Sequence, residues 1–383
     1  KEKSLVESFI EAQNASDLRV VSADEMPMSG FWGRVGRGFG FPMNKNCGDL
    51  EEKMNNLPFP ALKRQVCCRY EASGEAPLLD FLASRFHYLT REAWAGQIQA
   101  GNLCINQHPA QIDQILQSGA LLEFSPRELI EPPVSWDIHI LFEDEQVLIL
   151  SKPGNLPCHP AGTFFNHTLW AWLKQSVKLP EVHFCNRLDR ETSGLVIVGK
   201  SSDAAKGLNR ALQQFDACKE YLVLVQGEFP ASLQCKGWLI PDANSPVRKK
   251  RAFLENLPKE LPQAESACTE YTRMAYQPLT NISLLKAILR TGRTHQIRAT
   301  LCSLGFPVIG DKLYGVDERL FLKLASGSLS PEDQARLLLP RQALHAWKIS
   351  FRVPAQNTPV QYSAPLPQDL RDFLKQHNLQ IPL

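Results

Sequence analysis

Several features that mark other protein classes are absent from this sequence. Its ten cysteines include no Cys-x-x-Cys pair, which argues against a zinc ribbon and against a thioredoxin-type redox site. No uninterrupted apolar run is long enough to span a bilayer. No metal-ligand cluster is visible either, so we expect no metal and no membrane partner.

Strong net charge is also absent, because 42 Lys and Arg face 40 Asp and Glu, for a net charge of +2. Any nucleic-acid binding must therefore depend on local positive charge. Cysteines spread through a chain of 383 residues are typical of reduced, mostly buried thiols. We expect a cytoplasmic protein, and a removed targeting peptide stays open because the chain begins at Lys1.

The first third of the chain contains an extension and a small module. Residues 1–74 form an extension of unknown role, whose segment "GFWGRVGRGFGFPMNK" predicts a loop, since its glycines do not match the dinucleotide-binding fingerprint. The residue pattern of 75–131 predicts a small module with two helices. The first carries apolar residues at helical spacing, and the second is capped by Thr90 and ended by Gly101. The apolar positions are Leu78, Leu79, Leu82 and Phe86.

From residue 134 to residue 383 the pattern changes to strands with intervening helices. Strands are predicted in "HILFEDEQVLILSKPG", "GLVIVGK", "KEYLVLVQG" and "ISLLKAILRTG", and helices in "AAKGLNRALQQF", "THQIRATLCSLG" and "SPEDQARLLL". One block of this kind predicts a single domain of mixed helices and strands.

Asp189 is the first candidate for chemistry. It stands in "CNRLDRETSGLVIVGK" between Arg187 and Arg190. An Asp beside arginines on a turn is usually a solvated ion pair that contributes little. Here the turn is followed by an apolar strand, so the carboxylate lies on a loop attached to rigid structure, where reactive groups are often placed.

The second candidate is the segment "LRTGRTHQIRATL" at 289–301. In a helix beginning at Thr294, residues 294 and 298 share a face, and Arg298 could then point toward a partner carboxylate. A bidentate arginine would hold that carboxylate ionised and oriented. Considered alone, the segment is also consistent with an exposed basic helix and a structural His295.

Two further features suit nucleic-acid binding. Tyr221 stands at the start of a strand, where its ring could stack on a base, although most such tyrosines pack into a core. The run "SPVRKKRAF" places four cations together at 248–251, which suits phosphate contacts and equally suits a solvated loop.

Together these segments resemble the RluA-type RNA pseudouridine synthases. "NRLDRETSGLVIVGK" resembles the family's catalytic signature, "LSKPGNLPCHPAG" its lysine-proline loop, and "KEYLVLVQG" the strand of its active-site tyrosine. "RTGRTHQIRATL", "GDKLYG", "ALHA" and "SAPLP" follow in the family's order. The resemblance runs from about residue 138 to the end of the chain. Residues 75–131 resemble the alpha-L RNA-binding module, with Leu78 at a position that is usually basic.

The resemblance implies roles for individual residues. Asp189 would be the catalytic acid, either attacking the nucleotide or abstracting a sugar proton; Arg298 would pair with it, and Tyr221 would stack on the target uracil. Arg187 would steady the space vacated by the flipped base. The remaining expected substrate-binding residues are Lys152, Arg293, His295 and Gln296.

The resemblance also implies a fold, a substrate and partners. The expected class is α+β, with a mixed, largely antiparallel central sheet, flanking helices and a central cleft. The expected partner is RNA, with ribosomal RNA favoured over transfer RNA, and the protein is expected to be a monomer without a cofactor. Asn186 and Thr300 stand where the family usually has histidines, so substrate positioning could differ.

Two alternatives remain at this point. A glycosidase or base-excising glycosylase would need two carboxylates at a defined separation, and Glu191 would point away from Asp189 if the segment is extended. A catalytically inactive RNA-binding or ribosome-assembly factor would be expected to lack the acid, and Asp189 is present.

Overall fold

The protein forms two compact units in a computed structural model. The first unit contains Lys1–Pro133 and His159–Lys178, and the second contains Val134–Cys158 and Leu179–Leu383. The structure describes residues 19–22, 57–62, 64–86, 89–125, 131–161, 164–257, 261–325, 327–353 and 358–381. The glycine-rich segment of the predicted extension lies outside these ranges. In the described ranges no helix has the length and apolarity that crossing a bilayer requires.

The first unit contains a small antiparallel sheet with the strand order β1-β2-β7-β4-β5 and a separate β3-β6 pair. Helices α1 and α2 share one apolar core with these strands. The elements are β1 Arg19–Ser22, β2 Arg64–Arg69, β3 Ala76–Pro77, α1 Leu78–Arg85, α2 Arg91–Gln99, β4 Leu103–Ile105, β5 His108–Pro109, β6 Ile115–Leu116, β7 Leu121–Phe124 and α3 Leu169–Gln175.

The two helices of the module form where the residue pattern predicts them. All four apolar residues at helical spacing in and after α1 are buried. Thr90 caps α2, because its side chain accepts a hydrogen bond from the backbone N–H of Ala93 at 3.2 Å. Gly101 then adopts a φ of +70° and ends the helix.

The predicted domain ranges differ from these units in two places. Strand β2 precedes the predicted start at 75, but it pairs with β7 and so belongs to the module's sheet. The segment His159–Lys178 belongs to the first unit rather than to a continuous 134–383 block. The carboxylate of Glu131 accepts the backbone N–H groups of Phe165, Asn166 and His167 at 2.7–2.8 Å, which ties this segment to the end of the module.

The second unit is built on an eleven-stranded sheet, ordered β14-β13-β15-β16-β12-β17-β11-β9-β8, with β10 beside β11 and β18 beside β17. Its strands are β8 His139–Glu143, β9 Val147–Lys152, β10 His183–Phe184, β11 Ser193–Gly199, β12 Cys218–Gln226, β13 Ser232–Pro241, β14 Arg251–Leu254, β15 Glu265–Gln277, β16 Ile282–Leu289, β17 Leu344–Arg352 and β18 Pro359–Ser363. Its helices are α4 Ser202–Ala211, α5 Gln296–Ser303, α6 Arg319–Ala325, α7 Pro331–Leu337 and α8 Gln368–Gln376.

Antiparallel pairing dominates this sheet. Among the described strands, β11 and β17 form the one parallel pair, which extends only over Ser193–Gly194 and His345–Ala346. Strand β11 is buried at every position, as its run of β-branched residues predicts. The predicted mixed, largely antiparallel sheet with flanking helices is therefore confirmed.

Helix α5 begins later than its sequence predicts. The expected start was Thr294, but His295 has a left-handed φ of 58° and the helix begins at Gln296. A left-handed residue cannot continue a right-handed helix, so Thr294 does not share a helical face with Arg298. Arg298 instead lies in the first turn, with its side chain buried.

Candidate active site

Asp189 lies on the turn that leads into β11. The turn is closed by a hydrogen bond of 3.1 Å from the backbone N–H of Thr192 to the carbonyl of Asp189. The Asp189 side chain keeps 31% of its surface exposed, whereas the strand behind it is buried at every position. The carboxylate is therefore held by rigid structure and is still open to a ligand.

The structure brings Arg298 to this carboxylate across 109 residues of sequence. Its Nη1 donates to Asp189 Oδ2 at 2.8 Å. Its Nε and Nη2 donate to the two carboxylate oxygens of Asp311, at 2.6 and 2.9 Å. The guanidinium thus joins one buried carboxylate to one that is partly exposed, and its planar donors fix the orientation of both.

Asp311 is the buried anchor of this group. It has no exposed surface, and its Oδ1 also accepts the backbone N–H groups of Leu313 and Tyr314 at 2.9 Å. Burial opposes the charged form, but Arg298 and these backbone donors outweigh it, so the pKa of the Asp311 carboxyl is lowered. Sequence reasoning matched "GDKLYG" as a landmark without assigning Asp311 this contact.

Asp189 is held ionised in the same way. Burial would raise its pKa, but the charges of His295 and Arg298 and hydrogen bonds from Arg298 and Gln342 hold the pKa well below its usual range. Burial lowers the pKa of His295 to about 4, so its imidazole is neutral near pH 7. At that pH the positive charge beside Asp189 is therefore that of Arg298.

His295 connects Asp189 to Tyr314. Its Nε2 lies 3.8 Å from Asp189 Oδ1, and its Nδ1 lies 2.9 Å from the Tyr314 hydroxyl. That hydroxyl accepts the backbone N–H of Arg251 at 2.9 Å, so its own proton is available to Nδ1.

Tyr221 lies on β12, opposite Ala346 of β17 and Ala287 of β16. The register of β12 and β17 shifts immediately before Tyr221, and such an irregularity re-aims a side chain. Burial and the charge of Asp189 raise the pKa of the Tyr221 phenol, so the hydroxyl stays protonated at neutral pH. Its partners on the two neighbouring strands are both alanines, and its ring packs against the core of the second unit.

Gln342 is a contact of Asp189 that sequence reasoning missed. It is 1% exposed, and its Nε2 reaches both Asp189 Oδ2, at 3.5 Å, and the hydroxyl of Thr192. Ser193 Oγ lies 3.0 Å from His345 Nδ1 on β17. The Thr-Ser-Gly turn is therefore bonded to residues at and just before the start of β17. In the sequence, the motif "ALHA" at 343–346 was the one feature that pointed to this segment.

Lys152 contacts the turn that carries Asp189 through its ammonium group. It was expected to bind substrate, but it has no exposed surface, and its ammonium donates to the carbonyls of Pro153, Leu156 and Arg190 at 2.7, 2.9 and 3.2 Å. Burial lowers its pKa to about 8. In this structure the ammonium contacts the backbone of the lysine-proline loop and of the turn that carries Asp189.

Glu191, the second acid of the turn, is also bound by internal partners. Its Oε1 lies 2.8 Å from the ammonium of Lys312, and its backbone carbonyl accepts Arg341 Nη1 at 3.0 Å. Arg341 itself forms a bidentate pair with Asp369, at 2.6 and 2.9 Å. These contacts fix the backbone on the C-terminal side of Asp189.

The other expected substrate-binding residues divide into buried and exposed groups. Gln296 is 3% exposed, and its amide bonds the carbonyl of Cys268, the side chains of Thr269 and Thr291, and the backbone N–H of Arg293. Arg187 and Arg293 are exposed, and Arg293 Nε donates to the carbonyl of Ser266 at 3.1 Å.

Asn186 and Thr300, the two departures from the family pattern, both have well-defined surroundings in the structure. The Asn186 amide donates to the carbonyl of Leu195 at 3.0 Å and accepts the backbone N–H of Ile197 at 2.8 Å, which ties the turn to β11. Thr300 is 1% exposed within α5. In the described ranges, no group of three or more His, Cys, Asp or Glu residues is placed to hold a metal ion.

Comparison with known proteins gives one family match and several relatives. A family model described as RNA pseudouridylate synthase matches residues 146–303. A ribosomal large subunit pseudouridine synthase D of Zymomonas mobilis is 30% identical over 77% of this chain and 91% of its own length. The same-named protein of Nitrosomonas europaea is 34% identical over 62% of this chain.

A mitochondrial tRNA pseudouridine(32) synthase of Saccharomyces cerevisiae is 30% identical over 68% of this chain. The chain spans 54% of that yeast protein and 64% of the Nitrosomonas relative. Among solved structures, human RNA pseudouridylate synthase domain containing 4 aligns at 22% identity with a TM-score of 0.49, over 64% of this chain and 95% of that one.

Proposed function

Since this chain belongs to the RluA-type RNA pseudouridine synthase family, we propose that it isomerises specific uridines of structured RNA to pseudouridine. The observation that carries the proposal is the 2.8 Å pair between Asp189 and Arg298. It supplies a partly exposed carboxylate that is kept ionised and oriented. In the reaction the bond from ribose to uracil nitrogen breaks and a bond to uracil carbon forms. The proton leaves that carbon and the nitrogen gains one.

Asp189 is proposed to be the catalytic group that starts this exchange. An ionised carboxylate suits both courses considered for it, attack on the nucleotide and removal of a sugar proton. Arg298 stabilises its charge and fixes its direction. A uridine in folded RNA must leave its stack before a carboxylate can reach it. Tyr221 is proposed to stack on the extruded uracil. Arg187 is proposed to occupy the space that the uracil leaves in the RNA.

The remaining expected residues are proposed to act in two ways. Lys152 and Gln296 use their polar atoms on the protein itself, so we propose that they position the loops of the site. Arg293 is exposed and is available to RNA. His295 faces Asp189 at 3.8 Å, where its neutral imidazole can contact the bound nucleotide.

A glycosylase that releases uracil is a less suitable function for this site. Its second carboxylate would have to deliver a proton or activate water, but Glu191 is paired with Lys312 at 2.8 Å and 13% exposed. Retention of the base within the RNA distinguishes isomerisation from excision. Free uracil in the reaction mixture would favour the glycosylase.

Ribosomal RNA is the proposed substrate, with transfer RNA as the alternative. The names of the Zymomonas and Nitrosomonas relatives refer to the large ribosomal subunit, whereas the yeast relative's name refers to transfer RNA. The predicted alpha-L-like module favours ribosomal RNA. The cytoplasmic location and the monomeric state also stay predictions.

The test is pseudouridine mapping of total RNA with and without the gene, followed by complementation with Asp189→Asn. We expect at least one pseudouridine to disappear without the gene, to return with the wild-type chain, and to stay below detection with the variant. RNA affinity should change little, because the isosteric amide keeps the shape of the site. An unchanged pseudouridine map would instead favour an inactive RNA-binding factor.

A further inference from the structure

Arg248, Lys249 and Lys250 end the turn between β13 and β14, and Arg251 begins β14. We call Arg248–Arg251 the basic turn. Lys250 is paired with carboxylates of the protein itself, because its ammonium lies 2.9 Å from Glu318 Oε2 and 3.6 Å from Asp242 Oδ2. Ser245 Oγ donates to the same Glu318 oxygen at 2.6 Å. This cation therefore has a structural role and is neutralised internally.

The basic turn is held rigidly next to the active site. Val247, just before it, is 1% exposed in the core, and its carbonyl accepts the backbone N–H of Lys250 at 2.8 Å. At its other end the backbone N–H of Arg251 donates to the Tyr314 hydroxyl, which also contacts His295. Two hydrogen bonds thus separate the basic turn from the imidazole that faces Asp189.

Lys249 differs from Lys312 and Lys250, the neighbouring lysines that are paired with carboxylates. Lys312 is paired with Glu191 and Lys250 with Glu318, but within the described ranges no carboxylate lies at ion-pair distance from the Lys249 ammonium. Its Nζ lies 4.0 Å from the centroid of the Phe321 ring on α6. The ring fixes the ammonium by a cation–π contact and leaves its three donors without an anionic partner.

The charge of Lys249 interacts with the charges of Asp189 and Arg298. Although the residue as a whole is exposed, desolvation of the ammonium and the nearby charge of Arg298 lower its pKa to about 8, while Asp189 opposes that shift. The same ammonium also acts on His295. Lys249 stands two residues before Arg251, whose backbone reaches His295 through Tyr314, and its ammonium is held by a ring rather than by a carboxylate, so an anion that arrives with a ligand could pair with it.

We propose that Lys249 is a substrate-binding residue that contacts a backbone phosphate of the RNA next to the target uridine. The inference rests on the proposed function, because that function places a nucleotide beside Asp189. The nucleotide's uracil and ribose are uncharged, so its flanking phosphates are the anions it brings. A lysine contacts a phosphate as a compact point charge, and this contact would hold the extruded nucleotide in register with the carboxylate.

The test compares Lys249→Gln with Lys236→Gln in the full chain. Lys236 is an exposed lysine on β13 of the same unit, so its variant removes an equal charge from a different place. With a substrate RNA at low salt, we expect kcat/KM of the Lys249 variant to fall about tenfold. The salt slope of log kcat/KM should become shallower by about 0.7 to 0.9, the contribution of one phosphate.

A neutral phosphate identifies the contact directly. RNAs with a methylphosphonate on the 5′ or the 3′ side of the target uridine remove one charge each. One of them should reduce kcat/KM of the wild type and of Lys236→Gln about tenfold, with no further loss for Lys249→Gln. Losses that add at both positions would overturn the proposal, as would a salt slope for Lys249→Gln equal to the wild type's.

The two proposals fail in distinguishable ways. If the wild type forms pseudouridine and Lys249→Gln behaves like Lys236→Gln, the phosphate contact is wrong and the proposed function stands. If the wild type forms none in any RNA, both are wrong. Lys249→Arg controls for folding, because it keeps the charge and should restore the wild-type salt slope.

Discussion

At the scale of single residues, the site depends on one guanidinium shared between two carboxylates. Arg298 donates to Asp189 through Nη1 and to Asp311 through Nε and Nη2. A lysine has no planar fork and cannot make these three contacts at once. Arg298 therefore contributes both to the ionisation and to the orientation of the Asp189 carboxylate, and substituting it should affect both.

Arg298→Lys tests this dependence through the pH profile. We expect kcat/KM to fall about 100-fold because the carboxylate is misplaced. Weaker pairing also lets the pKa of Asp189 rise toward its ordinary value, so protonation begins at higher pH and the acid limb of the profile moves upward. Arg290→Lys is the matched control, since Arg290 pairs with Glu270 at the surface, and it should stay within about twofold. An acid limb that does not move would contradict the assignment.

Tyr221 tests the proposed stacking on uracil. Tyr221→Phe keeps the ring, and Tyr221→Leu keeps apolar packing against the core while it removes the ring. With Asp189→Asn present in both proteins to prevent turnover, we expect the Phe variant to bind RNA within about twofold of its parent. The Leu variant should bind about 10- to 100-fold more weakly, the usual worth of one base stack. Equal affinities for the two variants would exclude stacking.

Sequence reasoning found part of this residue set. The pairing of Asp189 with Arg298 followed from motif resemblance, although the two are 109 residues apart. Asp311 and Gln342 were missed because a polar residue in one sequence carries no sign of burial. Lys152 and Gln296 were expected to bind substrate. Both are buried against polar atoms of the protein itself, a distinction that only coordinates reveal.

At the scale of elements, the turn that carries Asp189 depends on the close approach of β11 and β17. Gly194 has a φ of +114°, and a Cβ there would lie 2.2 Å from the carbonyl oxygen of Ala346. Only glycine fits this parallel contact. The Gly of the Thr-Ser-Gly turn is therefore needed for sheet pairing, and Asp189 five residues earlier takes its position from that pairing.

Gly194→Ala should reduce the free energy of unfolding by about 3 kcal/mol or more, because it combines backbone strain with a clash against backbone atoms. Gly292→Ala is the control, since a Cβ there meets nothing within 4 Å, and it should stay within about 0.5 kcal/mol. Urea unfolding measures both. Similar losses for the two variants would show that the β11–β17 approach is not the constraint.

Elements with a strong pattern were predicted well, and half-exposed strands were not. The apolar run of β11 and the Ser330-capped start of α7, with Pro331 at its first position, form as expected. Strand β13 alternates exposed and buried residues, and β15 is rich in polar residues, so neither contains an apolar run. Their pairing with β14 and β16 is determined by distant segments.

At the scale of the whole molecule, charge is distributed unevenly between the two units. In the described part of the predicted module, acids outnumber arginines, which argues against strong phosphate attraction there. These residues are Glu75, Asp80, Glu92, Asp113, Glu123 and Glu131, against Arg85 and Arg91. The basic turn and the exposed arginines of the site belong to the second unit, which we therefore expect to contribute most of the phosphate contacts.

The domain pattern was only partly readable from the sequence. A boundary near Pro132–Pro133 follows from composition, and the units divide at Pro133. The assignment of His159–Lys178 to the first unit does not follow from composition, because it depends on the Glu131 carboxylate and three backbone N–H groups. Local sequence marks the ends of a domain more readily than it marks a segment that packs with another unit.

The most direct test of the central claim measures tritium release from RNA that is labelled at uracil C5, with the wild-type chain and with Asp189→Asn. Formation of the new carbon bond expels this hydrogen, so the wild type should release one tritium per modified uridine while the base stays in the RNA. The variant should release none above background at equal RNA binding. Release that survives in Asp189→Asn, or free uracil from the wild type, would contradict the account.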